Sequence, residues 1–248
     1  TRLIVMGRKA TYLASTAANG ALGSVGVMPG HLALVGGGEF TEGCSFDAEL
    51  LGLSGTDEVL IVPTAAAYEH PQKLVDKAAE WFGHLGARAV GLDLLARPDA
   101  TDPKIVDAIG GSRFTYLVGG SPLHLRSVLK DSPAWDALLG AWESGGVLAG
   151  SSAGAMALCD PMVDPRGGAF TLGLGVLPGL AVIPAHDHWS EDAAHRTRQM
   201  SPPNLVLAGI DERTALMRSP DGSWRVGGAG DVVVFVGGKP AGLDAIPA

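Results

Sequence analysis

The pentapeptide Gly150-Ser151-Ser152-Ala153-Gly154 follows an apolar run, Gly146–Ala149, and precedes the helix-compatible Ala155–Leu158. This is G-x-S-x-G between a strand and a helix, the setting in which the motif exposes a serine nucleophile on a sharp turn. Such a turn needs small residues two before and two after the nucleophile, because side chains there would collide across it. Ser152 has glycine at both places, whereas Ser151 has Ala149 and Ala153. The turn also sets the Ala153 N–H at a helix N-terminus, where it can donate to an oxyanion. For the pentapeptide alone, a Gly/Ser-rich loop without chemistry is the plain alternative.

A nucleophilic serine requires a base and a group that orients that base. His186, His188 and His195 are the densest group of histidines and follow the apolar run Leu180–Ile183. The C-terminal end of a parallel strand faces the crevice in which open α/β sheets bind ligands. Asp211-Glu212 follows Leu205–Ile210 and can reach the same edge. Adjacent residues at a strand end point opposite ways, so one of the two acids should face the base. His186 and His188, on alternate positions of an extended segment, also suit a metal pair. Zinc wants further ligands at recognisable spacing, and the sequence offers none, so neither metal nor cofactor is expected. In Val118-Gly119-Gly120-Ser121-Pro122 a run ends and a helix begins, with Ser121 as N-cap and Pro122 as first residue. Glycine there lets the backbone approach a ligand closely, and the Gly120 N–H offers a second oxyanion donor. Gly36-Gly37-Gly38-Glu39 lacks both the Gly-Lys-Ser/Thr ending and the G-x-G-x-x-G spacing of phosphate loops, which argues against a nucleotide.

The elements that must hold these residues alternate. Apolar runs at His31–Val35, Glu58–Val62, Ala89–Leu95, Phe114–Val118, Gly146–Ala149, Leu180–Ile183 and Leu205–Ile210 are separated by amphipathic stretches. One of these, Pro71–Leu85, places Leu74, Ala78, Trp81, Phe82 and Leu85 on one helical face. This pattern predicts an α/β fold: a mostly parallel sheet flanked by helices on both faces, flavodoxin-like. Beyond Thr214, the turn Ser219-Pro220-Asp221-Gly222 and the β-branched run Val232–Val236 predict antiparallel C-terminal edge strands. Residues 1–30 match neither part and are expected to form an N-terminal extension, with two strand-like pieces at Leu3–Met6 and Thr11–Ala14, ahead of a single α/β domain over 31–248.

Composition narrows the function. Hydrophobic residues make up 46% of the 248 residues and glycine adds 36 more, while charged residues stand at 18%, which excludes a disordered chain. A net charge of −8 gives no general attraction to nucleic acid or an anionic membrane. Two stretches without Asp, Glu, Lys or Arg, Ala10 to Gly38 and Gly167 to Ala185, are broken by Gly and Pro and read as buried strands rather than bilayer spans. Two distant cysteines, Cys44 and Cys159, make no disulfide framework, and a reducing cytoplasm is the expected compartment.

In chain order, the sequence resembles the serine peptidase family of dipeptidase E and cyanophycinase, whose fold is similar to class I glutamine amidotransferases. The resemblance covers about His31 to Gly237 and rests on Leu32 to Glu39, Val62-Pro63-Thr64-Ala65, Val118-Gly119-Gly120, Gly150 to Ala155, Gly173 to Gly179 and Gly209 to Leu216. It implies Ser152 as nucleophile, His186 as catalytic histidine and Glu212 as the acid, with His188 and Asp211 as alternates. It also implies an oxyanion hole at the Gly120 and Ala153 amides, and substrate contacts from Arg196, Arg198 and Ser121. The implied activity is hydrolysis of short aspartyl peptides, Asp-Xaa dipeptides first. A β-Asp-Arg polymer of the cyanophycin kind and a non-catalytic amidotransferase-like binding protein are the alternatives. A homodimer is the family-level expectation. Serine, histidine, acid is also not the chain order of α/β-hydrolases, which argues against an esterase of that fold.

Overall fold

The computed structural model describes residues 29–248; the strand-like pieces at Leu3–Met6 and Thr11–Ala14 lie outside the described residues. In chain order, β1 (Leu32–Val35), α1 (Phe46–Ser54), β2 (Glu58–Val62), α2 (Pro71–His84), β3 (Arg88–Gly91), α3 (Pro103–Gly110), β4 (Phe114–Leu117), α4 (Pro122–Leu129), α5 (Pro133–Glu143), β5 (Val147–Ser151) and α6 (Ala153–Leu158) build the first two-thirds. Two short ladders follow, pairing β6 (Cys159–Asp160) with β9 (Leu177–Pro178) and β7 (Met162–Val163) with β8 (Phe170–Thr171). The chain ends in β10 (Leu180–Pro184), α7 (Glu191–Met200), β11 (Val206–Ile210), β12 (Thr214–Arg218), β13 (Trp224–Gly228), β14 (Val232–Val236) and β15 (Lys239–Ala241).

Helix starts follow local chemistry. The Ser121, Ser132 and Asp102 side chains accept the N–H of His124, Trp135 and Lys104 at 3.3, 3.1 and 2.9 Å, and each is followed by proline in the first turn. Helix α1 ends at Gly55, whose φ of 66° is the left-handed conformation that suits glycine.

A seven-stranded sheet runs β13-β12-β1-β5-β4-β2-β3, parallel from β1 to β3, with β12 and β13 as the antiparallel edge expected after Thr214. Successive strand residues bury on opposite faces. Leu32, Leu34, Leu60, Val62, Leu117 and Leu148 pack with the α3 to α6 side. Ala33, Val35, Val59, Ile61, Tyr116 and Ala149 pack with Phe46 and Leu50 of α1 and Ala78 and Phe82 of α2. That two-sided burial is why the strands are continuous apolar runs. Phe82 alone, fully buried, contributes about 2–3 kcal/mol of apolar transfer free energy.

The runs Leu180–Ile183 and Leu205–Ile210 do not extend this sheet. They form a second one, β10-β11-β14-β15, in which β10 and β11 are parallel and β14 and β15 antiparallel. In the first sheet β1 is an interior strand, with β5 on one side and β12 on the other. Only Asp211, Glu212 and Arg213 carry the chain from β11 to β12, with Arg213 at φ 57° making the sharp change of direction. Another run, Ala89–Leu95, pairs only through β3, after which Leu92–Leu95 leaves the ladder. Among the described residues no helix is long and apolar enough to cross a membrane.

Candidate active site

Ser152 sits between β5 and α6 at φ 48°, ψ −106°, a conformation that a non-glycine residue holds only when its surroundings force it. The forcing groups are visible. Its N–H donates to Val35 O at 2.9 Å, and its carbonyl accepts the Met156 N–H at 3.0 Å. A methyl group on Gly150 would come within 2.7 Å of Gly154 C, and one on Gly154 would overlap the Leu117 carbonyl oxygen. Both glycines of the motif are therefore required by close backbone approach.

The turn after β4 faces this elbow. A methyl group on Gly119 would lie 3.4 Å from Ser152 Cβ and 3.9 Å from its Oγ. Gly120 takes φ 133° with its α-carbon against the Ala65 carbonyl, which accepts the Ser121 N–H at 2.8 Å. Ser121 Oγ is used as the cap of α4. On the other side, Gly119 N–H donates to Glu39 Oε1 at 3.1 Å, and Glu39 Oε2 accepts Ser151 Oγ–H at 2.8 Å. Glu39 is only 7% exposed, and its backbone carbonyl accepts Lys77 Nζ at 2.7 Å. In the sequence Glu39 stands out only as an acidic residue closing a glycine run. Nearby, burial raises the Asp47 carboxyl to about 8 despite the hydrogen bond from Trp81 Nε1, and the Glu39 charge adds to the rise.

The histidines and acids meet where the two sheets adjoin. His186 Nδ1 is 3.8 Å from Asp211 Oδ1, and its ring lies on the α-carbon of Gly209 in β11. His188 Nε2 is 3.5 Å from both Glu212 Oε2 and Asp187 Oδ2, with 65% of its side chain exposed against 25% for His186. Asp211 and Glu212 do diverge, but each meets a histidine. Asp211 Oδ2 accepts the Asp231 N–H at 2.9 Å, while Glu212 lies along Gly37 and Gly38. A methyl group on Gly37 would be 3.8 Å from Ser152 Cβ and 4.0 Å from Glu212 Cγ, so the glycine lies between Ser152 and Glu212. Asp187, unnoticed in the sequence except as a neighbour of histidines, accepts the Glu212 N–H at 3.0 Å.

Three successive carbonyls at the tip of β1 join these parts. Val35 O accepts Ser152 N–H at 2.9 Å, Gly36 O accepts Ala185 N–H at 2.6 Å, and Gly37 O accepts Arg213 N–H at 2.8 Å. His195 is turned to Gln199 on its own helix, 2.8 Å away. Arg196 lines a cavity of about 360 Å³ with Trp189 and Arg166, the last held by Asp164 at 2.6 Å. Arg198 stacks over Phe235 at 5.0 Å. Among the described residues no cluster of three or more His, Cys, Asp or Glu is disposed to hold a metal ion.

Known proteins are similar to this chain in sequence and in fold. Cyanophycinase of Synechococcus elongatus is 28% identical over 193 residues, and that of Nostoc sp. 27% over 202 residues. The match takes in 73% and 74% of this chain but 59% and 65% of theirs, so the chain spans about three-fifths of the length of these relatives. A crystal structure of a peptidase from an acI-B1 Actinobacterium superposes with a TM-score of 0.77 at 31% identity, covering 86% of this chain and 93% of that one. A Listeria monocytogenes EGD-e protein assigned as a peptidase E shares the fold at a TM-score of 0.59, 18% identity, and coverage of 84% and 98%. Residues 32–222 match the sequence profile of Peptidase family S51. This chain belongs to peptidase family S51.

Proposed function

We propose that the chain is a serine peptidase that hydrolyses short aspartyl peptides through Ser152. The observation that carries the reading is the strained elbow, which presents Ser152 at the start of α6 beside the Gly119-Gly120 turn. Ser152 Oγ attacks the scissile carbonyl carbon while a histidine takes its proton. The Gly120 and Ala153 N–H groups receive the oxyanion. Collapse breaks the C–N bond, the amine leaves with the proton from the imidazolium, and water hydrolyses the acyl-enzyme by the same steps.

His186 is our choice of base. Its Nδ1 faces a carboxylate, which leaves Nε2 for the serine, the usual division of labour in such triads. In this conformation Asp211 is the acid on Nδ1, and Glu212, the acid the resemblance implies, stands across Gly37 from Ser152. A second reading, His188 with Glu212, is favoured by their 3.5 Å contact, but there Nε2 faces the acid and Nδ1 is left for the serine.

The substrate carries an aspartyl residue: an Asp-Xaa dipeptide first, with Arg196 as the cation that selects the carboxylate. A β-Asp-Arg linkage of the cyanophycin kind, which the resemblance implies, is the second class, and the similarity to proteins named cyanophycinase supports keeping it. Release of free aspartate from Asp-Xaa, Glu-Xaa, Ala-Xaa and β-Asp-Arg peptides, wild type against Ser152→Ala, tests this. Turnover of one aspartyl class should fall by about 10⁶ in the variant. Absence of turnover by both proteins would instead favour a non-catalytic binding protein.

A further inference from the structure

We infer that Glu39 is a positioning residue, tying the nucleophile's elbow to the loop that holds the oxyanion; this rests on the peptidase reading above. One carboxylate bridges the two halves of the site. Oε2 accepts the hydroxyl of Ser151, the residue next to the nucleophile, and Oε1 accepts the N–H of Gly119, the residue next to the oxyanion donor. A methyl group on Gly119 would sit 3.2 Å from Glu39 Oε1 and 3.4 Å from Ser152 Cβ, so the carboxylate stands immediately behind the reacting centre.

The bridge has a geometric purpose. The Gly120 N–H belongs to the peptide between Gly119 and Gly120, and glycine leaves that peptide free to rotate. Here it is bracketed. Glu39 pins the preceding peptide through Gly119 N–H, and Ala65 O pins the following one through Ser121 N–H at 2.8 Å. The same carboxylate fixes Ser151, so nucleophile and oxyanion donor are set relative to one body. Glu39 is itself anchored, since Lys77 Nζ on α2 donates to its backbone carbonyl. It touches no reacting atom, and its effect passes through Ser151 and Gly119.

The test compares Glu39→Gln, Glu39→Leu and Ser151→Ala with wild type and Ser152→Ala. A fluorophosphonate, which traps an activated serine, counts active sites and gives a labelling rate; peptide hydrolysis gives kcat per labelled site and KM. Glutamine keeps an acceptor for Gly119 N–H and can donate to Ser151 Oγ, so Glu39→Gln should stay within about tenfold of wild type. Glu39→Leu should lose about 10²–10³ in kcat per site, as when an oxyanion donor is misplaced, with KM nearly unchanged and labelling slowed in parallel. Ser151→Ala, which cuts one arm, should fall between them. If Glu39→Leu does not fold, the Ser151→Ala and Glu39→Gln pair carries the test. A wild-type kcat per site in Glu39→Leu, or in Ser151→Ala, overturns the inference, as does a glutamine variant no better than leucine. A wild type that neither labels nor hydrolyses overturns the peptidase reading and this inference with it, whereas an active wild type whose Glu39 substitutions leave kcat per site unchanged overturns this inference alone.

Discussion

The pairing of His186 with Asp211 and of His188 with Glu212 yields a sharp comparison. His186→Ala should approach the inactivity of Ser152→Ala, while His188→Ala stays within about tenfold of wild type. Asp211→Asn should cost about 10⁴ in kcat, as loss of the orienting acid does elsewhere. Hydrolysis assays on the four single variants, with Glu212→Gln as the fourth, decide it. A large loss confined to His188→Ala and Glu212→Gln would hand the triad to that pair. Ser152 could be picked out because its requirements are local: two glycines at fixed spacing, each needed where backbone passes close to backbone. Glu39 could not, because its partners Gly119 and Ser151 are 80 and 112 residues away in sequence. The histidine and acid segments were equally legible, but their pairing was not. It depends on ring orientation at the close of β10 and on which way two adjacent acids diverge.

At the scale of elements, strands were readable where both faces are buried, which turns them into uninterrupted apolar runs. Their partition into two sheets was not, since β10 and β11 look like any other buried strand and nothing in their own residues says which strands they pair with. The helix expected at Pro71–Leu85 spans Pro71–His84, and its buried Ala78 and Phe82 are members of the predicted face. One strand residue links an element to the chemistry. A methyl group at Gly209 would overlap the His186 ring, which can swing away, and lie 2.9 Å from Val233 Cγ2 on β14, which must shift slightly, so Gly209→Ala should cost modest stability and much activity. We expect kcat to drop by about 10² for a misplaced base, with the melting temperature within a few degrees of wild type. A melting temperature that collapses with kcat retained in the folded fraction would show that Gly209 serves the sheet instead.

For the molecule as a whole, the buried acid Asp47 links stability to pH. Its folded value of about 8 lies above the ordinary 3.8, so across that interval the folded chain keeps a proton that the unfolded chain has released. The associated stability is complete below about pH 4 and is lost as pH rises through 8. Asparagine stays neutral and can still accept from Trp81. The melting temperature of wild type should therefore fall relative to Asp47→Asn between pH 5 and 8, by up to roughly 3–5 °C per pH unit. A gap that does not change with pH would place the proton elsewhere. The tip of β1 has another whole-molecule consequence. Its three carbonyls receive amides from residues 152, 185 and 213, segments with no continuity in sequence. With one strand end as the common acceptor, opening of that end frees all three amides together. In deuterium they should show one shared protection factor, higher than their loop positions suggest, and a fault at β1 would loosen the serine elbow, the histidine segment and the acidic pair in a single event.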